Sequence, residues 1–160
     1  MKAIPNEVGK RGYPLRFTLE PEQEEKVADL LKNAQERGVA GSVGTVIRTL
    51  LELATPTSDF LGQMRLVLEK EKILRRERSE PREPIYFNLE VPQEDKLNTL
   101  LACARGNGVR GWSSTVVRTL VEMATPSADF LQQMEVVKLR ETMLEKARRE
   151  QPSRKKAKAS

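Results

Sequence analysis

Apolar and polar residues alternate along Leu15-Arg16-Phe17-Thr18-Leu19-Glu20. That period predicts a strand with Leu15, Phe17 and Leu19 on a buried face and Arg16, Thr18 and Glu20 on the other. Beyond Pro21 the spacing becomes helical. Glu22, Glu24 and Glu25 suit a helix amino terminus, and Val27, Leu30, Leu31 and Ala34 form one stripe at i, i+3, i+4 and i+7. Gly38 is placed to end that helix in a left-handed conformation. After a short turn, the polar start Ser42-Val43-Gly44-Thr45 predicts a capped second helix, with apolar positions Val46, Ile47, Leu50, Leu51 and Ala54. Arg48 and Glu52, at i and i+4 on its outer side, read as a surface ion pair. Thr55-Pro56 closes this helix and opens a third. Its stripe runs through Phe60, Leu61, Met64, Val67, Leu68 and Leu74, and its end is expected near Arg78.

The whole pattern then returns, shifted by 70 positions and with no gap. Phe17-Thr18-Leu19-Glu20 becomes Phe87-Asn88-Leu89-Glu90, and Arg48-Thr49-Leu50 becomes Arg118-Thr119-Leu120. Thr55-Pro56 becomes Thr125-Pro126, and Asp59-Phe60-Leu61 becomes Asp129-Phe130-Leu131. Ile85, Phe87 and Leu89 are the inward positions of the second strand, Leu97, Leu100, Leu101 and Ala104 the next stripe, and Gly108 the next cap. Such self-similarity reads as a tandem duplication of one supersecondary unit. A single strand leaves its backbone groups without partners, so the two strands are expected to pair as an antiparallel ribbon covered by helices on one face. The expected division is a basic arm over 1–13, a first unit over 14–78, a linker over 79–84, a second unit over 85–149 and a basic, disordered tail over 150–160. The expected fold class is mainly α with a short two-stranded antiparallel β ribbon, the two units forming one intertwined fold.

Composition narrows the function. The 160 residues are 38% hydrophobic, 4% aromatic and 32% charged, which suits a modest aliphatic core under a charged, helical surface. A formal net charge of +5 points to an anionic partner. Lys2, Lys10 and Arg11 make the arm basic, either as a loose terminus or as a contact for phosphates. The chain holds no histidine and one cysteine, Cys103. The commonest proton shuttle and metal ligand is therefore missing, and the lone thiol suits a reducing cytoplasm. Neither a membrane-spanning apolar run nor the apolar core of a signal peptide is found. With no phosphate-binding glycine loop, metal spacing or nucleophile–base pair, the expectation is a protein that is not an enzyme and needs no cofactor or metal.

Strand, helix, glycine turn and polar-capped helix, in this order, resemble the ribbon-helix-helix family of Arc- and MetJ-type DNA-binding proteins. The likeness rests on Phe17-Thr18-Leu19 and Phe87-Asn88-Leu89, each followed by a proline within three residues, and on Ser42-Val43-Gly44-Thr45. It covers roughly 14–54 and 84–124. The presence of both protomers on one chain is similar in layout to the TraY-type accessory proteins of conjugative plasmids, and the third helices depart from the minimal family pattern. The resemblance implies a cytoplasmic, sequence-specific binder of double-stranded DNA whose paired strands enter the major groove. It would be a transcriptional repressor or regulator, or a factor marking a site for plasmid conjugation or maintenance. A ribbon fits that groove physically, and the outward side chains become the expected base contacts: Arg16, Thr18, Glu20, Tyr86, Asn88 and Glu90. Arg16 can grip guanine and Asn88 adenine; Glu20 and Glu90 either accept from cytosine or orient a basic neighbour. The amino termini of the second helices are expected to hold phosphates, through Ser42, Val43 and Gly44 and through Ser113 and Ser114. Trp112, in the place of Ser42, either packs on the sugar-phosphate backbone or covers the edge of the core. The competing expectation is a protein-interaction or self-association module working through the third helices.

Overall fold

The computed structural model describes residues 13–77 and 83–159. The expected basic arm, apart from Tyr13, and most of the expected linker lie outside the described residues. The described chain runs β1 (Tyr13–Phe17), α1 (Pro21–Glu36), α2 (Val43–Leu53), α3 (Ser58–Glu77), β2 (Ile85–Leu89), α4 (Val91–Gly106), α5 (Ser113–Met123) and α6 (Ala128–Ala159). It is mainly helical with one two-stranded sheet. β1 and β2 pair antiparallel, with Tyr13 opposite Leu89, Leu15 opposite Phe87, Arg16 opposite Tyr86 and Phe17 opposite Ile85.

The strand alternation and the ends of the first helices have visible counterparts. Leu15, Phe17, Leu19 and Leu89 are buried while Arg16 and Tyr86 are exposed, so the ribbon has one covered face and one open face. α1 and α4 each open on a capping box, in which the Glu20 amide donates to Gln23 Oε1 and the Glu90 amide to Gln93 Oε1, both at 2.9 Å. They close on Gly38 and Gly108, at φ +86° and +78°. There the Val39 amide reaches Ala34 O at 2.9 Å and the Gly38 amide reaches Gln35 O at 2.9 Å; likewise the Val109 amide reaches Ala104 O at 2.8 Å and the Gly108 amide Arg105 O at 3.1 Å. This is the Schellman arrangement, which needs a left-handed residue at that position.

Three boundaries differ from the sequence expectation. The third helices begin at Ser58 and Ala128 rather than at Thr55-Pro56 and Thr125-Pro126; Thr57 and Ser127 cap them, their hydroxyls accepting from the Phe60 and Phe130 amides at 3.1 and 3.2 Å. β1 begins at Tyr13 and ends at Phe17, so Thr18, Leu19 and Glu20 lie beyond the ladder. The capping box at Glu20 takes over the backbone there. α6 continues past Arg149 to Ala159, where a disordered tail was expected. Lys155 to Ala159 are good helix formers and their positive charge suits a helix carboxyl terminus, whereas Pro152 within the same stretch lacks a backbone donor.

The core is a single cluster drawn from both halves of the chain. α2 packs against α4, α5 and α6, α1 against α5, and α3 against α5. The third helix of each half thus lies on the second helix of the other. Phe60, Met64 and Val67 are buried on one side, Phe130, Met134 and Val137 on the other. Beneath the ribbon Phe17 and Phe87 meet edge to face, with ring centroids 5.8 Å apart and planes at 86°.

Candidate functional site

The open face of the ribbon is built around Arg16 and Tyr86. They sit opposite each other in the ladder, and the Arg16 guanidinium lies 5.4 Å from the Tyr86 ring centroid. That cation–π contact orients the arginine without consuming its donors. Tyr86 is 65% exposed. Asn88 is half-buried, facing Pro14 across the ladder. Its side-chain amide makes no hydrogen bond among the described residues. Arg16, Tyr86 and Asn88 therefore share one accessible surface of donors, acceptors and an aromatic plane.

The other three expected base contacts are placed differently. Glu20 and Glu90 are the N-caps of α1 and α4, held in the capping boxes. Glu90 additionally meets Arg148 at 3.5 Å. Their carboxylates belong to helix starts, a role that the alternating pattern conceals because each is also the sixth residue of its alternation. Thr18 lies just past β1, and Arg118 grips it twice: Nε donates to its carbonyl at 2.7 Å and Nη2 to its hydroxyl at 2.9 Å.

Arg118 and its counterpart Arg48 are the residues that sequence reasoning missed. Each lies on a second helix and reaches across to the opposite half, Arg48 to β2 and Arg118 to the residue just past β1. Arg48 donates Nε and Nη2 to the Asn88 carbonyl, at 3.0 and 2.7 Å. Its guanidinium also lies over the Phe87 ring, 5.2 Å from the centroid. A third helix supplies each countercharge. Glu71 of α3 accepts from Arg118 Nη1 at 2.6 Å and from Thr115 Oγ1 at 2.9 Å. Glu141 of α6 accepts from Arg48 Nη1 and from Thr45 Oγ1, the latter at 2.8 Å. All four charged side chains are between 13% and 17% exposed. The expected surface pair of Arg48 with Glu52 is thus replaced by two separate networks. Glu52 instead accepts from Gln93, Gln133 and Arg140 at 2.6, 3.0 and 2.6 Å, and Glu122 accepts from Gln23, Gln63 and Lys70 at 2.7, 3.0 and 3.1 Å. The crossed third helices bring these partners together, which no spacing within one helix reveals.

The second-helix amino termini flank the ribbon, α2 beside β2 and α5 beside β1. In α2 the first intrahelical bond is from the Val46 amide to Ser42 O, at 3.1 Å, and Ser42 Oγ accepts from the Thr45 amide at 3.3 Å. Ser42 is exposed and Val43 half-buried; Gly44 is buried. A Cβ at Gly44 would lie 3.3 Å from the Phe87 ring, so this glycine admits the ribbon's aromatic side chain. In α5, Ser113 and Ser114 are half-buried. Trp112 is its N-cap and 66% exposed, so it does not cover the core. Arg110, exposed in the preceding turn, adds positive charge at this end alone, since Ala40 occupies the matching place. Its signal in the sequence was the exchange of Ala40 for Arg110 at matching positions of the two halves.

Comparison with protein-family models, with curated proteins and with solved structures found no match.

Proposed function

We propose that this protein is a sequence-specific binder of double-stranded DNA with a tandem ribbon-helix-helix layout, the two halves of one chain standing for two protomers. The ribbon enters the major groove, and its open face reads base edges. The observation that carries this reading is the two-sided ribbon: Arg16, Tyr86 and Asn88 accessible above, aromatic and aliphatic side chains packed below. The register agrees, because Arg16 and Tyr86, equivalent in the repeat, pair with each other and so mark its local twofold axis. An antiparallel ribbon has the width that the major groove admits. The exposed starts of α2 and α5 lie on either side of it, where helix amino termini favour phosphate oxygens. Ser42, Val43, Ser113 and Ser114 are the phosphate contacts in this reading, joined by Arg110.

Because the paired strands differ, one chain recognises a site that is not a perfect palindrome. The biological role is that of a transcriptional regulator, or of an accessory factor marking a DNA site in plasmid transfer or maintenance. The test is selection from random-sequence duplexes at two salt concentrations, with wild type and the Arg16→Ala/Asn88→Ala double variant. A short asymmetric motif should emerge and be lost in the variant. Affinity should fall with salt, at a log–log slope of about 0.9 per phosphate neutralised. Sequence-blind binding by the wild type would sink the reading.

A second reading is favoured by one observation. Leu66 and Ile73 on α3, and Val136, Leu139 and Met143 on α6, are 45–65% exposed. These apolar rows face away from the core and suit docking of a protein partner or another copy of the chain. A concentration-dependent mass in light scattering, abolished by Leu139→Glu/Met143→Glu with DNA affinity for a single site unchanged, would place assembly there.

A further inference from the structure

The two arginines that hold the ribbon do so unequally. At the β1 side, Arg118 uses Nε for the Thr18 carbonyl and Nη2 for the Thr18 hydroxyl. At the β2 side, Arg48 uses both Nε and Nη2 for the Asn88 carbonyl. The difference follows from side-chain length. A threonine hydroxyl sits on Cβ, close enough to its own carbonyl for one guanidinium to span both. An asparagine amide lies one bond further out, and here it keeps its donors and its acceptor. Neither arginine is free to move away, since Glu71 and Glu141 hold their remaining edges from the crossed third helices.

We propose that the third helices decide which ribbon side chains read DNA: Glu71 and Arg118 are positioning residues that retain Thr18 in the scaffold, and Asn88 is the specificity-determining residue of the flanks. The proposal rests on the DNA-binding reading above. Arg16 serves the centre of the ribbon, beside Tyr86. The Asn88 flank reads a base, with adenine the partner that its amide matches through one donor and one acceptor. The Thr18 flank positions the ribbon without reading. With the capping boxes keeping Glu20 and Glu90 at helix starts, the molecule reads its site in one direction. The third helices, which the minimal fold lacks, thereby gain a role inside recognition.

The experiment is the same selection on the full chain, repeated with Asn88→Ala, Thr18→Val and Glu71→Gln, each checked for cooperative melting. Asn88→Ala should relax base preference at one flank by roughly tenfold or more. Thr18→Val should leave the motif within about twofold of wild type, since the Arg118 bond to the carbonyl remains. If Thr18→Val does not fold, Thr18→Ser, which keeps the hydroxyl, should also leave the motif unchanged. Glu71→Gln removes the charge that restrains Arg118. It should alter base preference on the Thr18 flank while leaving the salt slope at the wild-type value, a split that simple loss of stability does not produce. Equal loss of preference in Thr18→Val and Asn88→Ala overturns the proposal while the DNA-binding reading stands. A Glu71→Gln motif identical to wild type overturns the positioning role. Absence of any wild-type motif overturns the DNA-binding reading, and this proposal with it.

Discussion

Gly38 and Gly108 show how a single position fixes the path of the chain. Both hold positive φ with open space around the missing Cβ, so the constraint is backbone conformation rather than crowding. Gly38→Ala and Gly108→Ala should each destabilise the fold by about 1–2 kcal/mol, the usual cost of a left-handed conformation for a residue with a Cβ; urea unfolding followed by circular dichroism measures it. Arg16 behaves in the opposite way. It is exposed and lies over the Tyr86 ring, so Arg16→Ala should change stability by within about 0.5 kcal/mol and, on the proposed DNA-binding function, lower DNA affinity. A variant that melts far below wild type would make Arg16 structural. At this scale the sequence was a sound guide to glycine caps and to the outward faces of Arg16, Tyr86 and Asn88. At Glu20 and Glu90 it left two roles open, base contact or the orienting of a basic neighbour; both are N-caps, and Glu90 meets Arg148 at 3.5 Å.

Among the elements, the third helices are where local pattern says least. Their stripes at Phe60, Met64 and Val67 and at Phe130, Met134 and Val137 mark a buried face, yet a stripe carries no information about which helix it meets. Crossing onto the opposite half puts Glu71 and Glu141 under Arg118 and Arg48. These pairs are mostly buried, and removing one member strands the other charge. Glu71→Ala and Glu141→Ala should therefore each lower the unfolding free energy by about 3 kcal/mol. Glu69→Ala, at an exposed i,i+3 pair with Lys72, should cost less than about 1 kcal/mol. Denaturant titration of the three variants separates the two cases, and equal losses would mean that the arginine networks are as weakly coupled as a surface pair.

For the molecule as a whole, the core belongs to neither half. α2 and α5 each pack on helices from the other side, so residues 13–77 alone would expose much of the apolar surface that the full chain covers. Expressed separately, the two halves should show little cooperative melting; mixed, they should associate one to one and recover it. A stably folded, monomeric first half would contradict an intertwined core. What the sequence by itself determined was the inventory: one strand and three helices in each half, the glycine ends of the first helices, the buried stripes and the outward places of Arg16, Tyr86 and Asn88. These are properties of neighbours along the chain, set by period, capping and backbone preference, so a linear reading reaches them. Only the tertiary structure decided the partners: which third helix covers which second helix, that Arg48 reaches Asn88 O and Arg118 reaches Thr18, and that Glu52 and Glu122 face glutamines and cations from elsewhere. Those contacts join residues 40 to 100 positions apart, a distance over which spacing specifies no geometry. They form because burying both sets of apolar stripes in one core brings those charges to its edge.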